Sequence, residues 1–302
     1  MFSRRIRRRA RAGAVWLAVV LLTVTCATDL PVTPDRMEAA LPSDAAVYMA
    51  IRPEHLRELI GDIAYRFELD ASEIGELIDD SNRVVTALGS HGNAFGISAV
   101  ASGEYPGGRM RFGLTMSRRW RRRTVSTAVS SRPWFEERDG PGQLAIASNN
   151  LVLFSGGGLE DMMIRAAESE PPEDVLYLDE HAELSLVLPR IGEALRAGLP
   201  AQARVLPLER IEVNVHMREP DRELPFELSG RIDVASERAA RVLSVIARLV
   251  IGSLAEGVPL ADLSVEREER VITFAGLPAD EAKLREWAGG FLETLGAGAR
   301  TG

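Results

Sequence analysis

Few residues in this chain are of the types that do chemistry, and their spacing is sparse. The four histidines are His55, His91, His181 and His216. None has a cysteine, carboxylate or second histidine at the spacing of a metal site. His91 follows Ser90 directly, but a nucleophile and its base must meet in space, and sequence neighbours rarely do. The acid pairs Asp79-Asp80 and Glu268-Glu269 point apart on a helix or a strand, so a shared proton-transfer task is not expected. Gly-x-Ser-x-Gly, Ser-x-x-Lys and His-Glu-x-x-His are all missing, as are the P-loop and the dinucleotide fingerprint. The sequence therefore names no catalytic residue, metal ligand or cofactor site. Ser155-Gly156-Gly157-Gly158 has the composition of a phosphate cradle, but Glu160 and Asp161 follow at once. Their charge repels an anion and suits a helix's first turn, so a structural connection is expected.

Two other features carry chemistry. Arg118, Arg119, Trp120, Arg121, Arg122 and Arg123 form a basic run with one aromatic, a composition that contacts anionic surfaces such as lipid head groups or polyanionic glycans. The opposing expectation is a solvated helix start balanced by Glu136 and Glu137. The other feature is Cys26, the only cysteine, which excludes an intrachain disulfide.

Six arginines (Arg4, Arg5, Arg7, Arg8, Arg9, Arg11) precede an apolar run from Ala14 that ends near Cys26. A basic stretch followed by a short apolar one is the order of an export signal. The run falls short of the ~20 residues a spanning helix needs. Leu22-Thr23-Val24-Thr25-Cys26 resembles a bacterial lipoprotein processing site of the relaxed kind found in spirochaetal lipoproteins. Leucine stands four residues before the cysteine, and threonine replaces the usual small residue beside it. The resemblance implies that Cys26 becomes the acylated first residue of the mature protein. Plain secretion with cleavage nearby and an uncleaved anchor are the alternatives.

The whole chain has a net charge of −8. Its first 26 residues contribute six positive charges and no acid, leaving −14 for the rest. That balance opposes polyanion binding as the main function, and nucleic acid is not an expected partner. At 46% hydrophobic residues, the chain can bury one large core or two modest ones.

Residues 1–26 thus read as a signal, 27–40 as a proline-containing tether, and 41–172 and 173–302 as two similar halves. Leu56, Leu59, Ile60, Ile63 and Phe67 share one helical face. A second helix is expected over 71–85, with Asp70 and Glu73 as a capping box. Strands are expected at 95–102 and 109–116, a helix at 118–130, strands at 143–147 and 151–155, and a helix at 159–168. The second half repeats the order: a strand at 183–188, a helix at 191–197, paired strands at 211–217 and 226–234, a helix at 236–256, strands at 263–266 and 271–275, and a helix at 279–294. Each half reads β-α-β-β-α-β-β-α. The expected fold class is α+β, with antiparallel sheets and helices mainly on one face.

The helix near 239–254 stands out, because its apolar residues cover most of its circumference and leave Arg241, Ser244 and Arg248 as a polar strip. Cover on two sides is one expectation, and a protein or lipid interface on an exposed side is the other. Leu41-Pro42-Ser43-Asp44 resembles the opening of the folded part in uncharacterised bacterial envelope proteins. Together these features point to a membrane-anchored envelope lipoprotein, periplasmic or on the outer-membrane face, that acts by binding or scaffolding. Its partner would be an envelope protein or lipid. A carrier of a small apolar ligand between the halves, and an extracytoplasmic enzyme with an unrecognised site, are the alternatives.

Overall fold

The computed structural model describes residues 34–66, 78–91, 94–126, 131–168, 170–191, 207–218, 224–254 and 263–299. Twelve strands form one antiparallel sheet: β1 (Val47–Ile51), β2 (Ser81–His91), β3 (Ala94–Gly103), β4 (Trp120–Ser126), β5 (Ser131–Glu137), β6 (Gln143–Ile146), β7 (Leu151–Ser155), β8 (Leu184–Leu188), β9 (Leu208–Met217), β10 (Phe226–Val234), β11 (Ser264–Glu268) and β12 (Val271–Ala279). Their order across the sheet is β11-β12-β10-β9-β8-β1-β2-β3-β7-β6-β5-β4. Among the described residues five α-helices accompany them: α1 (Arg57–Arg66), α2 (Gly107–Met116), α3 (Leu159–Glu168), α4 (Glu237–Leu254) and α5 (Glu281–Ala299). The fold is α+β, as the alternation of patterns predicts. The two halves share a single sheet, however, because β1 pairs with β8 through Tyr48↔Val187 and Ala50↔Ser185. Joining edge to edge pairs the backbone N–H and C=O groups of these two apolar strands and places both in the middle of the sheet, where helices can cover their faces.

The sheet divides the molecule cleanly. Val47, Met49 and Ile51 point to one face, where they meet Leu56 just before α1, Leu59 of α1, Leu243, Ala247 and Ile251 of α4 and Leu284 of α5. Cross-strand pairs carry that face along the sheet through Ile51↔Val84, Val84↔Ala101 and Ala101↔Val152. There Met110 of α2 packs on Ala101, Tyr105 and Val152. Four of the five helices thus lie on one face. Tyr48 and Ala50 point to the other face, where α3 (Leu159, Met162, Met163) and a 3-10 turn at Pro34–Ala40 cover the first half. Met37, Ala40 and Leu41 are fully buried there, so the stretch read as a tether is structured from Pro34 onward.

The helix starts follow local chemistry. Ser236 Oγ accepts the Ala239 N–H at 3.2 Å to open α4, and Asp280 Oδ1 accepts the Lys283 N–H at 2.7 Å to open α5. The N-terminus of α1 is capped across the fold, with Glu281 Oε1 accepting the N–H groups of Glu58 and Leu59 at 3.2 Å.

Three sequence expectations are corrected. The helix expected to reach Val85 gives way to β2 from Ser81. The run Val84-Val85-Thr86 is β-branched and lies between β1 and β3, so sheet burial prevails; the capping box at Asp70 and Glu73 lies outside the described residues. The strand expected at 109–116 is α2, which starts after Pro106, a residue suited to a helix start. The helix expected at 118–130 is strand β4 as far as Ser126, the outermost strand of the sheet. A row of arginines blunts such an edge against pairing with other chains. Strand β5, not foreseen, contains Pro133. On one side Pro133 stands opposite Thr124 of β4, and on the other β6 pairs only with Phe135 and Glu136, so no ladder partner there asks for its missing N–H. The helix expected at 191–197 falls almost wholly outside the described residues. The strands at 143–146, 151–155, 184–188, 208–217 and 226–234 and helix α3 lie where the periodicity places them.

Candidate functional site

Helix α4 has two apolar faces and uses only one. Ala240, Leu243, Ala247 and Ile251 recur at helical spacing and are buried on β10, β11 and β12. Val242, Val245, Ile246, Leu249 and Val250 form a second stripe at i, i+3, i+4, i+7 and i+8. They are 51, 55, 37, 70 and 50% exposed. Among the described residues Val242, Val245, Ile246 and Leu249 stay largely open to solvent, so those residues do not supply the expected cover on a second side. Ser244, expected on the polar strip, is buried and donates to the Arg241 carbonyl at 2.9 Å. A contiguous apolar row left open on a folded chain is the surface signature of an interface.

A second surface lies at the other end of the same sheet face. On α2, Phe112 and Met116 are 64 and 69% exposed, and α2 packs beside β4. The basic run is split by the pleat of β4. Arg119 Nε donates to Glu137 Oε1 at 2.7 Å, and Arg123 Nε donates to Glu136 Oε2 at 2.9 Å, so the expected balance by Glu136 and Glu137 holds for these two. Arg118, Arg121 and Arg122 are exposed. Trp120 is half-buried with the Arg119 guanidinium 6.0 Å from its ring centre. The run is thus a strand edge with a turn before it, and three of its cations stay open to solvent.

The opposite sheet face of the second half is polar. Cross-strand pairs set Glu212 opposite Arg231 and Arg210 opposite Asp233. Arg210 lies 3.9 Å over the Tyr177 ring, and Arg231 Nε donates to Asp233 Oδ1 at 2.8 Å. Burial pushes the Glu212 carboxyl above the ordinary glutamate range, against the pull of Arg231 and Arg210. Its Oε1 has no hydrogen-bond partner, since Arg210 Nη1 at 3.7 Å is a charge contact only. Charge contacts link these groups into a ladder in which Glu212 Oε1 stays without a hydrogen bond.

The histidines sit beside acids far away in sequence. His55 Nδ1 lies 3.0 Å from Glu183 Oε2, and His216 Nε2 lies 3.5 Å from Asp179 Oδ2. His181 contacts its neighbour Glu180 at 3.4 Å. The backbone of His91 ends β2. Among the described residues no group of three His, Cys, Asp or Glu side chains could hold a metal ion. The Gly156–Gly158 turn is a structural connection. Gly157 and Gly158 take φ of 153° and 85°, backbone that favours glycine, and Gln143 Oε1 accepts the Leu159 N–H at 2.8 Å to satisfy the start of α3. Cys26 lies outside the described residues. Among those residues no helix is long and apolar enough to cross a membrane, a statement about helices alone.

No protein-family model matches the chain, and no characterised relative matches it. Solved structures do. Crystal form I of TP0453 superposes with a TM-score of 0.61 at 14% identity, covering 86% of this chain and 98% of that one. Crystal form III gives 0.60 at 14% identity, with 84 and 97% covered. Crystal form IV gives 0.58 at 15%, with 85 and 96% covered. The chain is therefore similar in fold to TP0453 over most of its own length and nearly all of that protein's.

Proposed function

We propose that this chain is a lipid-anchored protein of the cell envelope, held on the extracytoplasmic side through Cys26, and that it acts by binding through the outer face of α4. The observation that carries the binding role is the exposed stripe Val242, Val245, Ile246 and Leu249. Burying it against an apolar partner, membrane or protein, gains free energy that folding leaves unused. The anchor is supported by the arginine-rich start, the short apolar run and the relaxed lipoprotein-like site ending at Cys26.

Two similar halves are part of this reading. The order β1-β2-β3-β7-β6 in the first half equals β8-β9-β10-β12-β11 in the second, which supports a repeat with the β4–β5 hairpin added to the first half. Against strict equivalence, α3 and α5 pack on opposite sheet faces.

Photo-crosslinking in the native envelope tests the binding role. A benzophenone side chain placed at Leu249 or Val245 is expected to give adducts, protein or lipid, whose mass identifies the partner class. Thr273, exposed on the polar sheet face, serves as the comparison. Adducts from Thr273 with none from Leu249 or Val245 would refute the assignment.

A further inference from the structure

We propose that the corner formed by α2 and β4 is a contact site for anionic lipid head groups, independent of the α4 stripe and of the anchor. Residues 107–126 contain seven arginines and no acidic residue, a local excess of positive charge in a chain that is otherwise acidic. Structure divides these arginines by task. Arg111 donates to the Ile146 carbonyl through Nε and Nη2, and Arg119 and Arg123 pair with Glu137 and Glu136. Arg109, Arg118 and Arg122 are exposed, and none has an ion pair or side-chain hydrogen bond among the described residues.

Arg109 and Arg122 lie on the helix-bearing side of the sheet with two exposed apolar side chains, and Arg118 lies between their elements. Arg109, Phe112 and Met116 stand at i, i+3 and i+7 of α2, within about 60° of one another around the helix. Met110, on another side of α2, packs on the helix-bearing sheet face. Arg122 points to that same face, since it pairs with Phe135, which pairs with Leu144 of the cluster under α2. Arg118 lies in the turn between α2 and β4. Arg121 projects to the opposite sheet face and is not part of the site.

Cations beside a phenyl ring and a thioether match a lipid interface on both counts. Guanidinium groups pair with phosphate oxygens in a bidentate manner, while Phe112 and Met116 enter the boundary between head groups and acyl chains. A nucleic acid or sulfated glycan would use the arginines but offers methionine no apolar surface to enter.

The test uses the full chain with Cys26→Ser and a single environment-sensitive dye attached through Met116→Cys, mixed with vesicles of phosphatidylcholine alone or with about 30 mol% phosphatidylglycerol. The N-terminal segment interacts alike in every variant, so the dye reports the corner. A blue shift is expected on the anionic vesicles only, and it should weaken as salt screens the charges. Each arginine is expected to contribute about fivefold to affinity for the anionic surface. The combined variant Arg109→Gln, Arg118→Gln and Arg122→Gln should therefore lose at least tenfold. The charge-matched variant Arg190→Gln, Arg231→Gln and Arg270→Gln should keep the shift. An equal shift on neutral vesicles would overturn the proposal, as would equal losses in the two triple variants. So would an arginine-dependent response to a soluble sulfated glycan without one to anionic vesicles, which would assign the corner to a glycan.

Discussion

Truncating α4 on each of its two apolar faces should separate folding from binding. Leu243 is 7% exposed and packs on Val234 and Ile272, whereas Leu249, on the same helix, is 70% exposed. Leu243→Ala removes a packed side chain and should cost about 2–5 kcal/mol, which lowers the melting temperature by about 5–15 °C in a domain of this size. Leu249→Ala touches little in the folded chain and should stay within about 0.5 kcal/mol. Docking is the reverse case. Burying the exposed part of Leu249 contributes about 1–2 kcal/mol, and the stripe Val242, Val245, Ile246 and Leu249 together about 3–6 kcal/mol as an upper bound. Leu249→Ala should thus weaken association about 5- to 30-fold. Thermal unfolding followed by circular dichroism reads the first effect. The yield of crosslinks from a probe at Val245 in the native envelope reads the second. A melting temperature lowered equally by both substitutions would refute the reasoning, because the outer stripe would then be packed inside the folded chain.

Burial and close packing set three further outcomes. Burial pushes Tyr48 and Tyr105 up to about 12 each. Their unfolded counterparts ionise near pH 10, so stability is complete below that pH and falls as pH rises toward 12. Tyr105→Phe should flatten this slope in urea midpoints measured against pH. Glu212 is the acidic counterpart. Its carboxyl is held above its unfolded value by burial, so ionisation costs stability once pH passes the ordinary glutamate range. Glu212→Gln should raise the melting temperature at pH 7, with the gain vanishing as pH falls below that range; an equal gain at both ends would contradict the burial argument. At Gly230 an added Cβ would stand 2.5 Å from the Phe274 ring, so Gly230→Ala should destabilise by about 1–3 kcal/mol, measured by denaturant titration.

Legibility in the sequence tracked how local the deciding physics is. Helix α3 and the β6–β7 pair around Asn149-Asn150 carry their own periodicity and turn residues, and each stands where it is read. Strand β2 and helix α2 are short segments whose patterns suit either element. What decides them is pairing between β1 and β3 in one case and packing of Met110 on the sheet in the other. The arginine run shows both limits. Its balance by Glu136 and Glu137 follows from composition, but which arginines remain free depends on the pleat of a strand the sequence does not reveal. Helix α4 reads as apolar almost all round, and only the sheet beneath it selects the arc that is covered. The His55–Glu183 contact joins residues 128 apart, a pairing no local pattern announces.

The most direct test of the central claim is the mass of the N-terminal peptide of the protein taken from its native membrane. A peptide that begins at Cys26 and carries added acyl mass is expected. An unmodified peptide beginning at another residue would contradict that claim, making this a secreted protein rather than an anchored one.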